Sequence, residues 1–302
     1  MSWLAWLFAP RQRQLPETAV RPPAPTAPPA PQPEPAAAGE VPPLLCSLLG
    51  LGAPADGPLR ADEAAALARV DAVLALPGLP DELLPRAAAL VPQLLAMLRQ
   101  GEHLPVSAMV QRVSRDVVLT AEVLRLASSA YYRDRGQALD LQQAIQLIGV
   151  QGLQTVIARV VLKPIYDSTP GPWSLAAGAR LWTHAEALAA QAAAAAEEVP
   201  VFDAYLAGLL HDSGWTAALR VLDRSGAPVT SPSAAFCVAL ERRAHRLFGR
   251  AARRWAITPL FADFGADAER HGLAGSPHAL ASVLRRALPE AMAALQEESQ
   301  PA

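Results

Sequence analysis

Three side chains in this sequence have the types and order that could bind a divalent cation and split a phosphate ester. His184 lies in Leu181-Trp182-Thr183-His184-Ala185, and the adjacent pair His211-Asp212 lies in Leu209-Leu210-His211-Asp212-Ser213-Gly214. Imidazole nitrogen and carboxylate oxygen both suit divalent first-row metals. A metal held this way could lower the pKa of a bound water and present hydroxide to phosphorus. Neighbours on a helix point about 100° apart, so His211 and Asp212 can reach one ion only near a helix end. Gly214 supplies such an end. His184 shares an apolar stripe with Leu181, Ala185 and Leu188, which aims its ring into a bundle where groups from two helices could meet. A His-Asp pair can equally be a hydrogen-bonded polar couple buried in a core, and the residues alone leave both readings open.

The elements that must position these groups read as helices. A pattern begins near residue 60, with Asp62 as the expected N-cap. A second helix is predicted from Arg86 to Arg99. Shorter ones are predicted over 107–114 and 116–130, the latter with Leu119, Val123, Leu126 and Ala127 on one stripe. Asp140-Leu141-Gln142-Gln143 fits a capping box, with Gly149 at the stop. Residues 151–163 repeat the period until Pro164. A long Ala-rich helix over 175–198 carries His184, and the next, through Phe202, Tyr205 and Leu209, carries His211. Further helices are expected over 215–224, 233–254 and 276–296. No alternating strand pattern of useful length is present, so the fold class is all-α.

Composition bounds the rest. The chain has 302 residues and a formal charge of −2, from 26 Lys+Arg against 28 Asp+Glu. That balance argues against a nucleic-acid binder driven by bulk charge, and no sequence-specific nucleic-acid partner is expected. Cys46 and Cys237 form no metal or disulfide pattern and read as reduced apolar side chains of a cytoplasmic protein. No run of about eighteen apolar residues predicts a spanning helix. Nearly half of the 29 Pro residues precede residue 60, and residues 15–60 read as a disordered Pro/Ala-rich linker. Residues 1–14 hold Trp3, Trp6 and Phe8, followed by Arg11 and Arg13. They read as a sticky N-terminus, with a weak contact to the inner-membrane surface as the alternative. A pre-domain helix is assigned to 61–83, the main helical domain to 84–290 and a tail to 291–302.

Several blocks, taken in order, resemble the HDOD family, the HD-related output domains of bacterial signalling proteins. Residues 115–131, Arg115-Asp116-Val117-Val118-Leu119-Thr120 through Ser128-Ser129-Ala130-Tyr131, resemble that family's DP-x-L-T-x-x-V-L-R-L-A-N-S-A-x-Y helix. They depart from it at Val117 (Pro) and Ser128 (Asn). Ala144-Ile145-Gln146-Leu147-Ile148-Gly149 resembles A-I-x-x-L-G, Trp182-Thr183-His184-Ala185 resembles W-x-H-S, and Gly208-Leu209-Leu210-His211-Asp212-Ser213-Gly214 resembles G-L-L-H-D-I-G. The resemblance implies a helical fold related to HD phosphohydrolases and a regulatory role, usually without demonstrated hydrolysis.

Downstream, where the family often keeps H-x-x-x-G and H-H, this chain has His245 with Gly249 and a single His271. His245 is open between a surface and a cleft position, and His271 is expected in a loop. The closing Asp of an HD metal site has no counterpart in His278-Ala279-Leu280-Ala281-Ser282-Val283, and Asp263 and Asp267 are expected in a loop. The H-H-E and G-Y-P signature of HD-type cyclic di-GMP phosphodiesterases is missing. Arg242, Arg243, Arg246, Arg250, Arg253 and Arg254 read as exposed helical charge, with phosphate or acidic-partner contact as the alternative. The expected function is therefore a non-catalytic signalling module with a vestigial or weak metal site at His184, His211 and Asp212, to which His245 and His271 could add. No cofactor is expected, and the module would act on a protein partner. The alternative is a metal-dependent phosphohydrolase of a nucleotide or cyclic dinucleotide, weakly binding Mn or Fe.

Overall fold

The computed structural model describes residues 43–84, 87, 90–91, 105–128, 140–167, 170–224 and 231–298. The aromatic N-terminal segment, most of the Pro/Ala run and most of the helix expected over 86–99 lie outside these residues. Among the described residues the regular structure is helical, and there is no strand beyond an isolated bridge between Ala55 and Ser233.

Helical structure is present earlier in the chain than the composition suggests. Helix α1 (Leu44–Leu49) falls within the stretch assigned to the linker, yet Leu45, Cys46 and Leu48 are buried. Pro43 and Gly50 bracket it, the latter in the left-handed conformation that ends a helix. The short run Leu44-Leu45-Cys46-Ser47-Leu48-Leu49 has apolar residues enough for one buried turn, and the surrounding prolines mask that signal. Cys46 and Cys237 are free thiols with their sulfurs 3.8 Å apart.

Helix α2 (Ala61–Leu74) begins one residue before the expected cap. Arg60 is its N-cap, and Glu63 at the third position accepts the Arg60 backbone N–H at 2.9 Å. Glu63 also receives the backbone N–H and hydroxyl of Ser233, at 2.7 Å each. This small polar knot pins α2 to the start of a helix far along the chain.

The first half of the bundle comprises α3 (Val106–Val113), α4 (Val117–Ala127) and α5 (Leu141–Leu162). Asp116 caps α4 by accepting from the backbone of Val118 and Leu119, and Asp140 caps α5 by accepting from Gln143. Gly149 interrupts α5 with φ 68, ψ −177, and the chain then resumes as helix. Pro164 converts the end into a 3-10 turn over Lys163–Tyr166. The stretch Leu141–Tyr166 is long and apolar enough to cross a membrane by mean hydropathy, 1.5, but 56% of it is buried inside the protein. Its apolar character is accounted for by packing against α3, α4 and the helices that follow it.

The second half comprises α6 (Pro172–Ala194), α7 (Val201–His211), α8 (Ser213–Arg224), α9 (Ala234–Trp255), α10 (Pro259–Gly275) and α11 (Ala279–Glu298). The halves are joined by Arg159 of α5, whose guanidinium bridges Glu122 of α4 and Glu186 of α6. Burial pushes the Glu122 carboxyl up, but Arg125 and Arg159 outweigh it and hold it below the usual range.

Helix α10 corrects the reading of residues 259–275 as loop. Its glycines mimic a loop signature, but Gly265 serves a close crossing: a Cβ there would lie 2.3 Å from the backbone nitrogen of Arg253 on α9. Thr258 caps the helix by accepting from Phe261. Asp263, Asp267 and His271 therefore stand on a helix.

The Arg-rich face of α9 is likewise more than solvated charge. Arg250 is buried and donates to the backbone carbonyls of Val73, Leu74 and Leu76 at the end of α2. Arg243 forms a paired contact with Asp71, and Arg254 reaches Asp81 and the Leu79 carbonyl. Arg253 pairs with Glu269. Arg242 and Arg246 are exposed as expected.

Candidate functional site

His184, His211 and Asp212 meet in the centre of the second half, each essentially inaccessible to solvent. Their placement follows from local structure. Helix α6 starts at Pro172, and its first free N–H groups are satisfied from outside. The Asp223 carboxylate of α8 accepts from the backbone of Trp173 and Ser174 and from the Ser174 hydroxyl. Gly171, at φ 153, passes so close that a Cβ would sit 2.2 Å from Asp223 Cγ. With its start fixed, α6 presents His184 three turns later to α7.

Helices α6 and α7 cross tightly because Gly208 has no side chain: a Cβ there would be 2.6 Å from Ala189 Cα. Asp212 is the junction residue between α7 and α8, with φ −75, ψ −3, and its carbonyl accepts from the Thr216 backbone and hydroxyl. The expected helix end at Gly214 shifts accordingly. Gly214 lies inside α8 and permits contact with α9, since its Cβ would be 2.1 Å from the Ala244 carbonyl oxygen. The Tyr166 hydroxyl donates to the Leu209 carbonyl and braces α7 from the other side. Burial and the Asp212 charge push that phenol well above its usual pKa.

The three groups do not aim at one empty point. His184 Nδ1 lies 2.6 Å from Asp212 Oδ2, and His211 Nδ1 lies 2.9 Å from Asp212 Oδ1. Burial would push the Asp212 carboxyl up, but the His184 charge and the hydrogen bonds from both rings prevail and hold it well below the usual range. An ionised carboxylate only accepts, so both Nδ1 atoms carry the proton and donate to it. Asp212 is thus a clamp between two imidazoles, and both its oxygens are engaged.

The far nitrogens, His184 Nε2 and His211 Nε2, are buried and have no hydrogen-bond partner among the described residues. Such orphan atoms normally call for an explanation. A metal-binding histidine commonly donates its second nitrogen to a carboxylate, so the Asp212 contacts resemble the outer support of a metal site. The donor set nonetheless falls short. Among the described residues, no three His, Cys, Asp or Glu side chains are grouped so as to hold an ion. A catalytic zinc-type site takes three protein ligands, and here the carboxylate lies on the Nδ1 side of both rings, away from the two Nε2 atoms. The residues do not fit a firmly held catalytic metal.

The other candidates separate. His245 of α9 is buried with its ring centroid 5.0 Å from that of His211, which makes it a wall of the site rather than a surface residue. Burial, together with the His211 charge, drives its pKa down to about 3, against a weaker upward pull from Asp212. Its Nε2 is 3.8 Å from Glu241 Oε1 one turn away. Burial raises the Glu241 carboxyl, opposed by His211 and Arg242. His271 is exposed on α10, 3.7 Å from Asp267, and does not join the group. Asp267 accepts from the Ser276 hydroxyl, and Asp263 is exposed. Neither acid completes a cage. Sequence reasoning missed Asp223 and Glu241, whose only signal is acidity at the end or the start of a helical run.

A buried His with a His-Asp pair at a helix junction, inside an all-helical bundle, defines an HD-related domain. The HDOD domain profile matches residues 84–256, and the chain belongs to the HDOD domain family. A protein of Treponema pallidum (strain Nichols) without an assigned function is 27% identical over 143 residues, 46% of this chain. The chain spans only 25% of that relative's length. Two solved structures are similar in fold. One is a protein from Shewanella amazonensis SB2B, provisionally assigned as a metal-dependent phosphohydrolase, with a TM-score of 0.50 and 14% identity over 80% of this chain and 100% of that one. The other is an HDOD domain protein of unknown function from Geobacter sulfurreducens, with a TM-score of 0.44 and 18% identity over 78% and 93%.

Proposed function

We propose that the chain is a non-catalytic regulatory module that acts by contact with a protein partner and retains its HD residues as a structural clamp. One observation carries this reading: the sole carboxylate among His184, His211 and Asp212 is fully buried and has both oxygens engaged by imidazole Nδ1 atoms. The carboxylate lies on the Nδ1 side of both rings, so it cannot share an ion with their Nε2 atoms unless the rings turn. Exposed apolar side chains lie elsewhere, with Val117 at 82% and Val118 at 58% exposure at the start of α4, on the half that does not carry the clamp.

The test is metal content and stability measured together. The full chain, loaded with Mn²⁺ or Fe²⁺ and then desalted, is expected to retain far less than one ion per molecule. Asp212→Asn is expected to lower the melting temperature. One tightly held ion per chain, lost in His211→Ala, would overturn the reading.

A metal-dependent phosphohydrolase is the second reading, favoured by the two orphan Nε2 atoms. It requires Asp212 to release the rings and a further acid to approach. Turnover of a nucleotide or cyclic dinucleotide with added Mn²⁺, abolished by Asp212→Ala, would establish it.

A further inference from the structure

Beside the clamp, α9 and the end of α10 enclose an open cavity of about 470 Å³, within the size range of small-molecule sites. Its lining is rich in cations and polar rings: Arg242, Arg243, Arg246 and Arg270, with His245 and His271. Asp71 is the one carboxylate in the described lining, and Arg243 neutralises it with contacts of 2.6 and 2.8 Å.

Other nearby acids are also engaged. Glu269 pairs with Arg250 and Arg253, Asp267 accepts from Ser276, and Glu241 stands 3.8 Å from His245. Arg242, Arg246 and Arg270 have no carboxylate within salt-bridge distance among the described residues, and all three are exposed. Arg270 Nε is anchored on the Ala266 carbonyl at 3.0 Å and Arg246 Nε on that of Glu269 at 3.3 Å. Arg246 and Arg270 therefore have a fixed root and terminal nitrogens to spare, the arrangement that suits phosphate oxygens.

The wall opposite α9 is made by a break in α10. Gly272 takes φ 67, ψ −178, and a Cβ there would meet nothing within 4 Å, so the backbone borders open space. The Leu273 carbonyl, which would repel an anion, already accepts from Arg285 of α11 at 2.7 Å. His245 is the buried part of the lining, and its ring centroid lies 5.0 Å from that of His211.

We propose that this cavity binds a phosphorylated small molecule of nucleotide size, with Arg242, Arg246 and Arg270 on its phosphates and His245 against its remaining body, without need of a metal. The site lies outside the Asp212 clamp and stands whether that clamp is structural or catalytic. Through His245 and His211, occupancy touches the same residues that hold α6 to α7, which gives a small ligand a route to the bundle core.

Calorimetric titration of the full chain in EDTA tests this, with GMP, AMP, pyrophosphate, inorganic phosphate and poly-glutamate as probes. Saturable one-to-one binding of a mononucleotide is expected, weakening as salt rises and about tenfold or more tighter than inorganic phosphate. The double variant Arg246→Ala/Arg270→Ala should lose about tenfold or more in affinity while melting like the parent, because both side chains are exposed. Failure of every phosphate probe to bind would overturn the proposal, as would equal affinities of parent and double variant. Binding of poly-glutamate alone would also overturn it and assign the face to an acidic polypeptide. None of these outcomes depends on metal content, so this proposal and the one on the clamp fail separately.

Discussion

Two parts of one core bury charge in opposite ways. At the clamp, one carboxylate is held by two imidazoles, and all three groups are titratable. Some turns away, Arg250 is held by three backbone carbonyls and, at 2.9 Å, by the Glu269 carboxylate. The first arrangement depends on protonation and on three side chains staying together. The second depends chiefly on the backbone path of α2, which supplies three neutral acceptors to a guanidinium that stays charged. The comparison separates a set of titratable side chains that hold one another from a cation held mainly by the backbone.

The clamp should give the largest response. Asp212→Ala strips the acceptor from two buried rings and is expected to cost about 4 kcal/mol, read from urea unfolding; a loss under about 1 kcal/mol would show that the rings find other partners. Arg250→Met leaves three carbonyls at the end of α2 without their donor, and about 3 kcal/mol is expected. Hydrogen exchange should then rise in Ala61–Leu74 and leave α6 unchanged, whereas a uniform rise would remove the distinction between the two regions. Gly214→Ala forces a methyl against the Ala244 carbonyl, and overpacking of this kind costs about 2 kcal/mol.

Acidity sharpens the contrast further. His245 is buried and neutral, with its pKa lowered to about 3 from 6.5. The unfolded chain takes up a proton below about pH 6.5 that the folded chain refuses, so stability falls as pH drops from there toward 3. Between pH 7 and 5.5 the loss is about 1 kcal/mol, and His245→Leu should flatten it. The lowered Asp212 pKa acts in the same sense below about pH 4, while the raised Glu241 pKa opposes. The smallest effect is expected at Val117→Ser, within about 0.5 kcal/mol of the parent. That variant should still lose a partner captured through α4; unchanged capture would move the contact face elsewhere.

Much of this was legible in the chain. Asp116 and Asp140 are short acceptors placed just before apolar-periodic runs, and both cap as their positions imply. The convergence of His184 with His211 and Asp212 followed from one apolar stripe and one helix end. What escaped was anything decided by a distant partner. Glycines at 265 and 214 look like breakers in one dimension, but in three they let helices touch. Arg250 is indistinguishable from its exposed neighbours until α2 ends over it. That Asp212 faces the Nδ1 atoms of both rings could not be read either, since it depends on ring orientation.

The family match begins at residue 84, but the folded unit does not. Leu45, Cys46, Leu48, Leu67 and Val70 fill the interior from upstream, and Leu280, Leu284 and Leu295 do so from downstream. A fragment trimmed to the matched segment would carry hollows on two sides and precipitate. Expression boundaries should therefore fall before Pro43 and after Glu298.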